Sequence, residues 1–168
     1  HSYNLNLKKR NIIIGPGSKE LLFLLQLVAK KHTKIIYPGW VSYANQSKIV
    51  GNKYMYVPNK SYKLDSDDML IVNYPNNPTG EIYDYNNIDK DSGLIVSDEI
   101  YNYLNYDNIK PKTMLEYTSK CIVSNGLSKW CGAGGWRLGY MIIPDLYKNI
   151  MNDMAAIGSE LYSCSNVP

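Results

Sequence analysis

Several things are scarce in this chain of 168 residues. Phenylalanine occurs once against sixteen tyrosines, an imbalance from which no function follows. There are three cysteines, Cys121, Cys131 and Cys164. Their number is odd and their spacing suits no metal site, so reduced thiols in a cytoplasmic protein are expected. The formal charge of +3 is mild and no basic block exists, which argues against nucleic acid as the main partner. Long hydrophobic runs are missing too. The longest, Leu21 to Ala29, is interrupted by Gln26 and is far shorter than a bilayer span, so it reads as a core helix and no membrane partner is expected. There is no internal repeat, no low-complexity tract, and no Gly-x4-Gly-Lys-Ser/Thr spacing of a P-loop. The first residue is His1 rather than Met, which leads us to expect a piece of a longer protein.

What is present reads as one globular domain, with a hydrophobic share of 45% and a charged share of 20%. Apolar runs at Asn11–Ile14, Lys34–Tyr37, Lys53–Val57, Met69–Asn73, Gly93–Ser97, Cys121–Ser124 and Arg137–Ile143 predict strands. In the third, Met55 and Val57 should share one face and Tyr54 and Tyr56 the other. Helical patterns fill Ser18 to Lys31, Val41 to Val50 and Pro144 to about Ser163, with a short helix expected near Asn86 to Lys90. Ser18 is placed to cap the first helix, Lys30 and Lys31 fall in its last turn, and its nearly all-round leucines need cover from a sheet and from another chain or domain. Tyr103 to Glu116 reads as polar, irregular surface. Alternating strands and helices predict a three-layer α/β/α domain with a mostly parallel sheet.

The stretch from Ser124 to Tyr140 is crowded with glycines and contains two cations, Lys129 and Arg137. Glycines allow close backbone approach to a bound group. Arg137 offers a planar fork suited to phosphate, and Lys129 a primary amine that can become a nucleophile. The Gly17-Ser18-Lys19 helix start would add backbone N–H groups for an anion. Asp98 ends a strand expected to be buried on both faces, where a carboxylate is costly without a cationic partner. All these residues fall at strand ends or in loops, where α/β proteins gather their sites.

Asn73-Tyr74-Pro75-Asn76-Asn77-Pro78-Thr79-Gly80, Ser97-Asp98-Glu99-Ile100-Tyr101 and Ser128-Lys129 with Gly135-Trp136-Arg137-Leu138-Gly139-Tyr140 occur in that order. In these motifs the chain resembles the class I/II aminotransferases, fold type I enzymes that use pyridoxal 5′-phosphate. The resemblance implies the cofactor-binding large domain over residues 1–168, partial, without the N-terminal segment and the C-terminal small domain. It implies Lys129 as the Schiff-base lysine and general base, and Asp98 as the partner of the pyridine nitrogen. Asn77 and Tyr101 would contact the ring's phenolic oxygen, and Trp40 would cover a ring face. Arg137, Gly17, Ser18, Lys19 and Ser128 would hold the phosphate.

The implied reaction moves an amino group between an α-amino acid and a 2-oxo acid, in a homodimer when full length. The alternatives that share these motifs are a carbon–sulfur lyase and a non-catalytic regulatory domain that binds the same cofactor. There are three departures from the family pattern. Gly126 stands where many relatives place a serine, Trp130-Cys131-Gly132-Ala133 is unusual, and the connection from Glu81 to Ser92 is short.

Overall fold

The computed structural model describes residues 11–59, 63–82, 84–106 and 112–161. A seven-stranded sheet runs through the domain in the order β1-β7-β6-β5-β4-β2-β3. The strands are β1 Ile12–Gly15, β2 His32–Ile36, β3 Tyr54–Val57, β4 Asp68–Asn73, β5 Leu94–Asp98, β6 Cys121–Gly126 and β7 Gly139–Ile142. Strands β3, β2, β4, β5 and β6 are mutually parallel, whereas β7 runs antiparallel to both β6 and β1. The central strands β4, β5 and β6 are buried at every residue, as continuous apolar runs covered on both faces should be.

Among the described residues three α-helices cover one face: α1 Ser18–Ala29, α2 Val41–Ile49 and α3 Lys148–Leu161. Leu21, Leu22, Leu24 and Leu25 of α1 pack against Ile71, Val96, Ile122 and Met141 of the sheet, together with Met154 of α3 and Tyr43 and Ala44 of α2. Four leucines of α1 therefore find their cover within the chain, whereas Phe23, Leu27 and Val28 stay half-buried. The opposite face is closed by 3-10 turns and loops, with Tyr85, Met114 and Leu64 over Leu70, Val72, Ile95 and Val123. Among the described residues no helix is long and apolar enough to cross a membrane.

Several expectations need correcting. Ser18 does not cap α1. Gly17 is the N-cap, at φ 96, and no side chain bonds there. The helix ends at Ala29, with Lys30 in a left-handed conformation, so no cation lies in its last turn. The alternation expected in β3 needs no correction, since the Tyr54 and Tyr56 rings meet on one face with centres 6.1 Å apart, although at this sheet edge only Val57 is buried. The short helix expected near Asn86 is a single 3-10 turn, Tyr85–Asn87, whose Asn86 N–H is accepted by the Asp84 side chain. Within the stretch expected to be polar surface, Thr113 and Met114 are buried. Cys164 and the end of the last predicted helix lie outside the described residues.

The reversal at β7 sets the geometry of the site. Gly126 pairs with Gly139, so the loop 127–138 leaves and re-enters the sheet at one end, the carboxyl end of β6. Gly15 pairs with Gly139 from the other side, which brings the entry to α1 beside the same loop. A Cβ on Gly139 would collide with the Gly17–Ser18 peptide, so the close approach requires glycine there.

Candidate active site

A cavity of about 230 Å³ opens at the carboxyl ends of the parallel strands. Ser18, Lys19, Trp40, Asn77, Asp98, Tyr101, Ser128, Lys129 and Arg137 line it, along with Tyr43, Asn73 and Ile100. Nine of the ten predicted site residues thus meet in one space. Gly17 does not line it. That residue lies under the Arg137 side chain, and a Cβ at Gly17 would strike the guanidinium.

Arg137 takes a left-handed backbone conformation, φ 51, uncommon for a residue with a side chain. Its guanidinium is anchored by donating from Nη1 to the Gly134 carbonyl at 2.8 Å and from Nη2 to the Pro16 carbonyl at 3.1 Å. The first-turn N–H groups of α1 have no intrahelical acceptor, and the macrodipole adds partial positive charge there. Guanidinium and helix start together make this rim of the cavity suited to an anion. Lys19 is a further cation, its Nζ 5.3 Å from the centre of the Trp40 ring.

The floor of the cavity is acidic and dry. Asp98 is 2% exposed, and Oδ2 accepts a hydrogen bond from the Tyr43 hydroxyl at 2.7 Å. Burial pushes its carboxyl up to about 6, an effect partly offset by the Tyr43 bond and the neighbouring Ile100 N–H. The same burial, with the Asp98 charge beside it, pushes the Tyr43 phenol well above its ordinary value, so Tyr43 stays a donor. Among the described residues two buried side-chain oxygens find no hydrogen-bond partner, Asp98 Oδ1 and Ser124 Oγ, and only Asp98 lines the cavity. An unpartnered carboxylate oxygen in so dry a place is costly, and a bound group carrying an N–H⁺ would remove that cost.

On one side wall the Asn77 side-chain amide donates to the Tyr101 hydroxyl at 3.2 Å. Lys129 Nζ stands 5.6 Å from the centre of the Tyr101 ring. Trp40 is half-buried and meets the Tyr43 ring edge-on at 5.2 Å. The Pro75–Gly80 turn is tied to this wall by Asn76, whose amide donates to the Pro38 carbonyl at 2.9 Å. At Gly126 a Cβ would lie 2.8 Å from the Leu138 carbonyl, which explains why this chain has no side chain at that position.

Tyr43 and Asn73 went unread in the sequence. Tyr43 sits on α2 where an aromatic reads as core, and it is in fact fully buried. The signal was its place one helical turn beyond Trp40, which aims both rings at one space. Among the described residues no group of acidic, histidine or cysteine side chains could hold a metal ion.

An anchored guanidinium, a helix start, an exposed amine and a buried acid with one unpartnered oxygen thus surround one cavity of an α/β domain. The chain belongs to the aminotransferase class I and II family, whose model matches residues 1–168. It is 34% identical to the aspartate aminotransferase of Sulfolobus acidocaldarius, over 96% of this chain and 46% of that protein. It is 32% identical to a probable aspartate aminotransferase of Methanocaldococcus jannaschii, over 97% of this chain and 50% of that protein. Among solved structures, the aspartate aminotransferase of Thermus thermophilus with maleate superposes with a TM-score of 0.84 at 24% identity, covering 97% of this chain and 48% of that one. The chain therefore spans about half the length of the curated relatives it matches, and its fold is that of the fold type I aminotransferases.

Proposed function

We propose that residues 1–168 are the cofactor-binding large domain of a pyridoxal 5′-phosphate-dependent aminotransferase that moves an amino group between an α-amino acid and a 2-oxo acid. The observation that carries this reading is the unpartnered Oδ1 of buried Asp98 in the same cavity as Lys129 and Arg137. That donor set fits the cofactor: an acid for the ring nitrogen, an amine for the aldehyde, and cations with a helix start for the phosphate. When bound, pyridoxal phosphate supplies an electron-withdrawing ring and a carbonyl carbon.

Arg137, the α1 start and Ser128 hold the phosphate. Asp98 would keep a proton on the ring nitrogen, Asn77 and Tyr101 would donate to the ring oxygen, and Trp40 would cover a ring face. Nζ of Lys129 would hold the cofactor's carbonyl carbon and would be the base that accepts the proton leaving the substrate α-carbon. The aspartate aminotransferase names of the curated relatives make aspartate the first amino donor to test. A homodimer of the full-length protein accompanies this reading.

The test is to add pyridoxal phosphate to the full-length protein, reduce with borohydride, and map the modified lysine by mass spectrometry. The label is expected on Lys129 and should disappear in Lys129→Ala. A label on another lysine, or none, overturns the reading.

A further inference from the structure

Asn73 is the last residue of β4 and is 3% exposed. Both ends of its side-chain amide are engaged. Nδ2 donates to the main-chain carbonyl of Asp98 at 2.8 Å, and Oδ1 accepts from the main-chain N–H of Asn77 at 2.8 Å. A carbonyl only accepts and an N–H only donates, so a single amide orientation satisfies both partners.

The two partners belong to different segments. Asp98 closes β5, while Asn77 sits in a turn flanked by Pro75 and Pro78. Proline has no N–H, so this turn is short of main-chain donors with which to hold the sheet. Asn76 uses its N–H within the loop, on the Glu81 carbonyl at 2.9 Å. Cα pairing of β4 with β5 ends at Asn73 and Asp98, and one further main-chain bond, from the Tyr74 N–H to the Asp98 carbonyl at 3.2 Å, follows it. The Asn73 side chain gives the Asp98 carbonyl a second donor and links it onward to the Asn77 N–H, which no main-chain bond among the described residues does.

Asp98 and Asn77 both line the cavity. We propose that Asn73 is a positioning residue that fixes the Asn77 amide relative to Asp98, holding at a set separation the groups that meet the nitrogen and the phenolic oxygen of one bound ring. This role rests on the reading of the cavity as a pyridoxal phosphate site. The tie between Asn73 and Asn77 itself does not.

The test compares the full-length protein with Asn73→Ala and Asn73→Asp in two arms. Without cofactor, hydrogen exchange at the Asn77 amide should be slow in the parent. Exchange should stay slow in Asn73→Asp, which keeps the acceptor, and become about tenfold faster or more in Asn73→Ala. With pyridoxal phosphate, both variants should bind about tenfold more weakly, since each loses the bond to the Asp98 carbonyl. The pH at which the bound chromophore changes its absorption should rise, because a misplaced Asn77 stabilises the ionised ring oxygen less.

A residue that served the fold alone would lower the melting temperature and leave that pH midpoint where it was. Such a result, or unchanged Asn77 exchange in Asn73→Ala, overturns the proposal. A parent protein that takes up no pyridoxal phosphate overturns the reading of the cavity and the ring-spacing role with it. The exchange arm still reports on the tie, so the two failures are told apart.

Discussion

The Tyr43 hydroxyl donates to Oδ2 of Asp98 across 2.7 Å, and with that oxygen engaged, Oδ1 is the one left without a partner. A helix residue thereby decides which half of a strand-end carboxylate remains available, and several consequences can be measured.

Tyr43→Phe removes a donor that favours the ionised form of Asp98. Since a protonated Asp98 cannot hold a cationic ring nitrogen, cofactor binding weakens at low pH. The acidic limb of the affinity profile should move to higher pH, by roughly one unit, the equivalent of one modest hydrogen bond. Titrating the full-length protein with pyridoxal phosphate between pH 5 and 8 measures it. An unmoved limb would show that the Tyr43 bond does not tune Asp98.

Asp98→Asn should separate stability from activity. Burial raises the Asp98 carboxyl from 3.8 to about 6, so ionising it works against the cofactor-free fold. At pH 8 the Asn variant should be the more stable in urea, by on the order of 2 kcal/mol. Its turnover should fall by roughly a hundredfold or more, because the charge opposite the ring nitrogen is gone.

Gly139→Ala places a methyl group against the Gly17–Ser18 peptide. The α1 start must then move away from β7, at a cost of about 1–3 kcal/mol. Pyridoxal phosphate affinity should drop more than that of pyridoxal, which has no phosphate for the displaced helix start to hold. Comparing the two affinities in parent and variant checks this.

Glu99 gives the protein a pH dependence unrelated to ligand. It is buried, and Oε1 accepts from Ser97 Oγ at 3.1 Å, Thr113 Oγ1 at 2.9 Å and the Met114 N–H at 2.9 Å. Burial outweighs these bonds and raises its carboxyl from 4.5 to about 7. The folded chain therefore favours the protonated form. That contribution is complete below pH 4.5 and is lost as the pH rises through 7. Glu99→Gln should flatten the fall in stability between pH 5 and 8, as measured by urea denaturation of the cofactor-free protein.

The sheet was legible because β4, β5 and β6 are apolar runs that stop at turn residues, a pattern set by burial on both faces. Nine of the twelve residues that line the cavity were singled out in the sequence, because their chemical types fall at strand ends and helix starts in the order of the family resemblance. What escaped depends on contacts between distant segments. Thr113 and Met114 read as surface, but both donate to the Glu99 carboxylate across the fold, and the Met114 side chain packs on the sheet beside Tyr85 and Leu64. Asn73 is one asparagine among several in its motif, and its role shows only when the β4–β5 register places it beside Asp98. The error at Ser18 was local: Gly17 at φ 96 turns the chain so that the helix begins one residue earlier than a serine cap would require.

The antiparallel return of β7 makes the amine and the guanidinium travelling companions. Their stretch of chain is stapled shut at its base by the pairing of Gly126 with Gly139, so lengthening or trimming any other connection leaves their separation untouched. Grafting that closed segment with its two flanking strands would move Lys129 and Arg137, the proposed cofactor anchor and phosphate clamp, as one piece, while the acid opposite would have to be supplied by the recipient sheet.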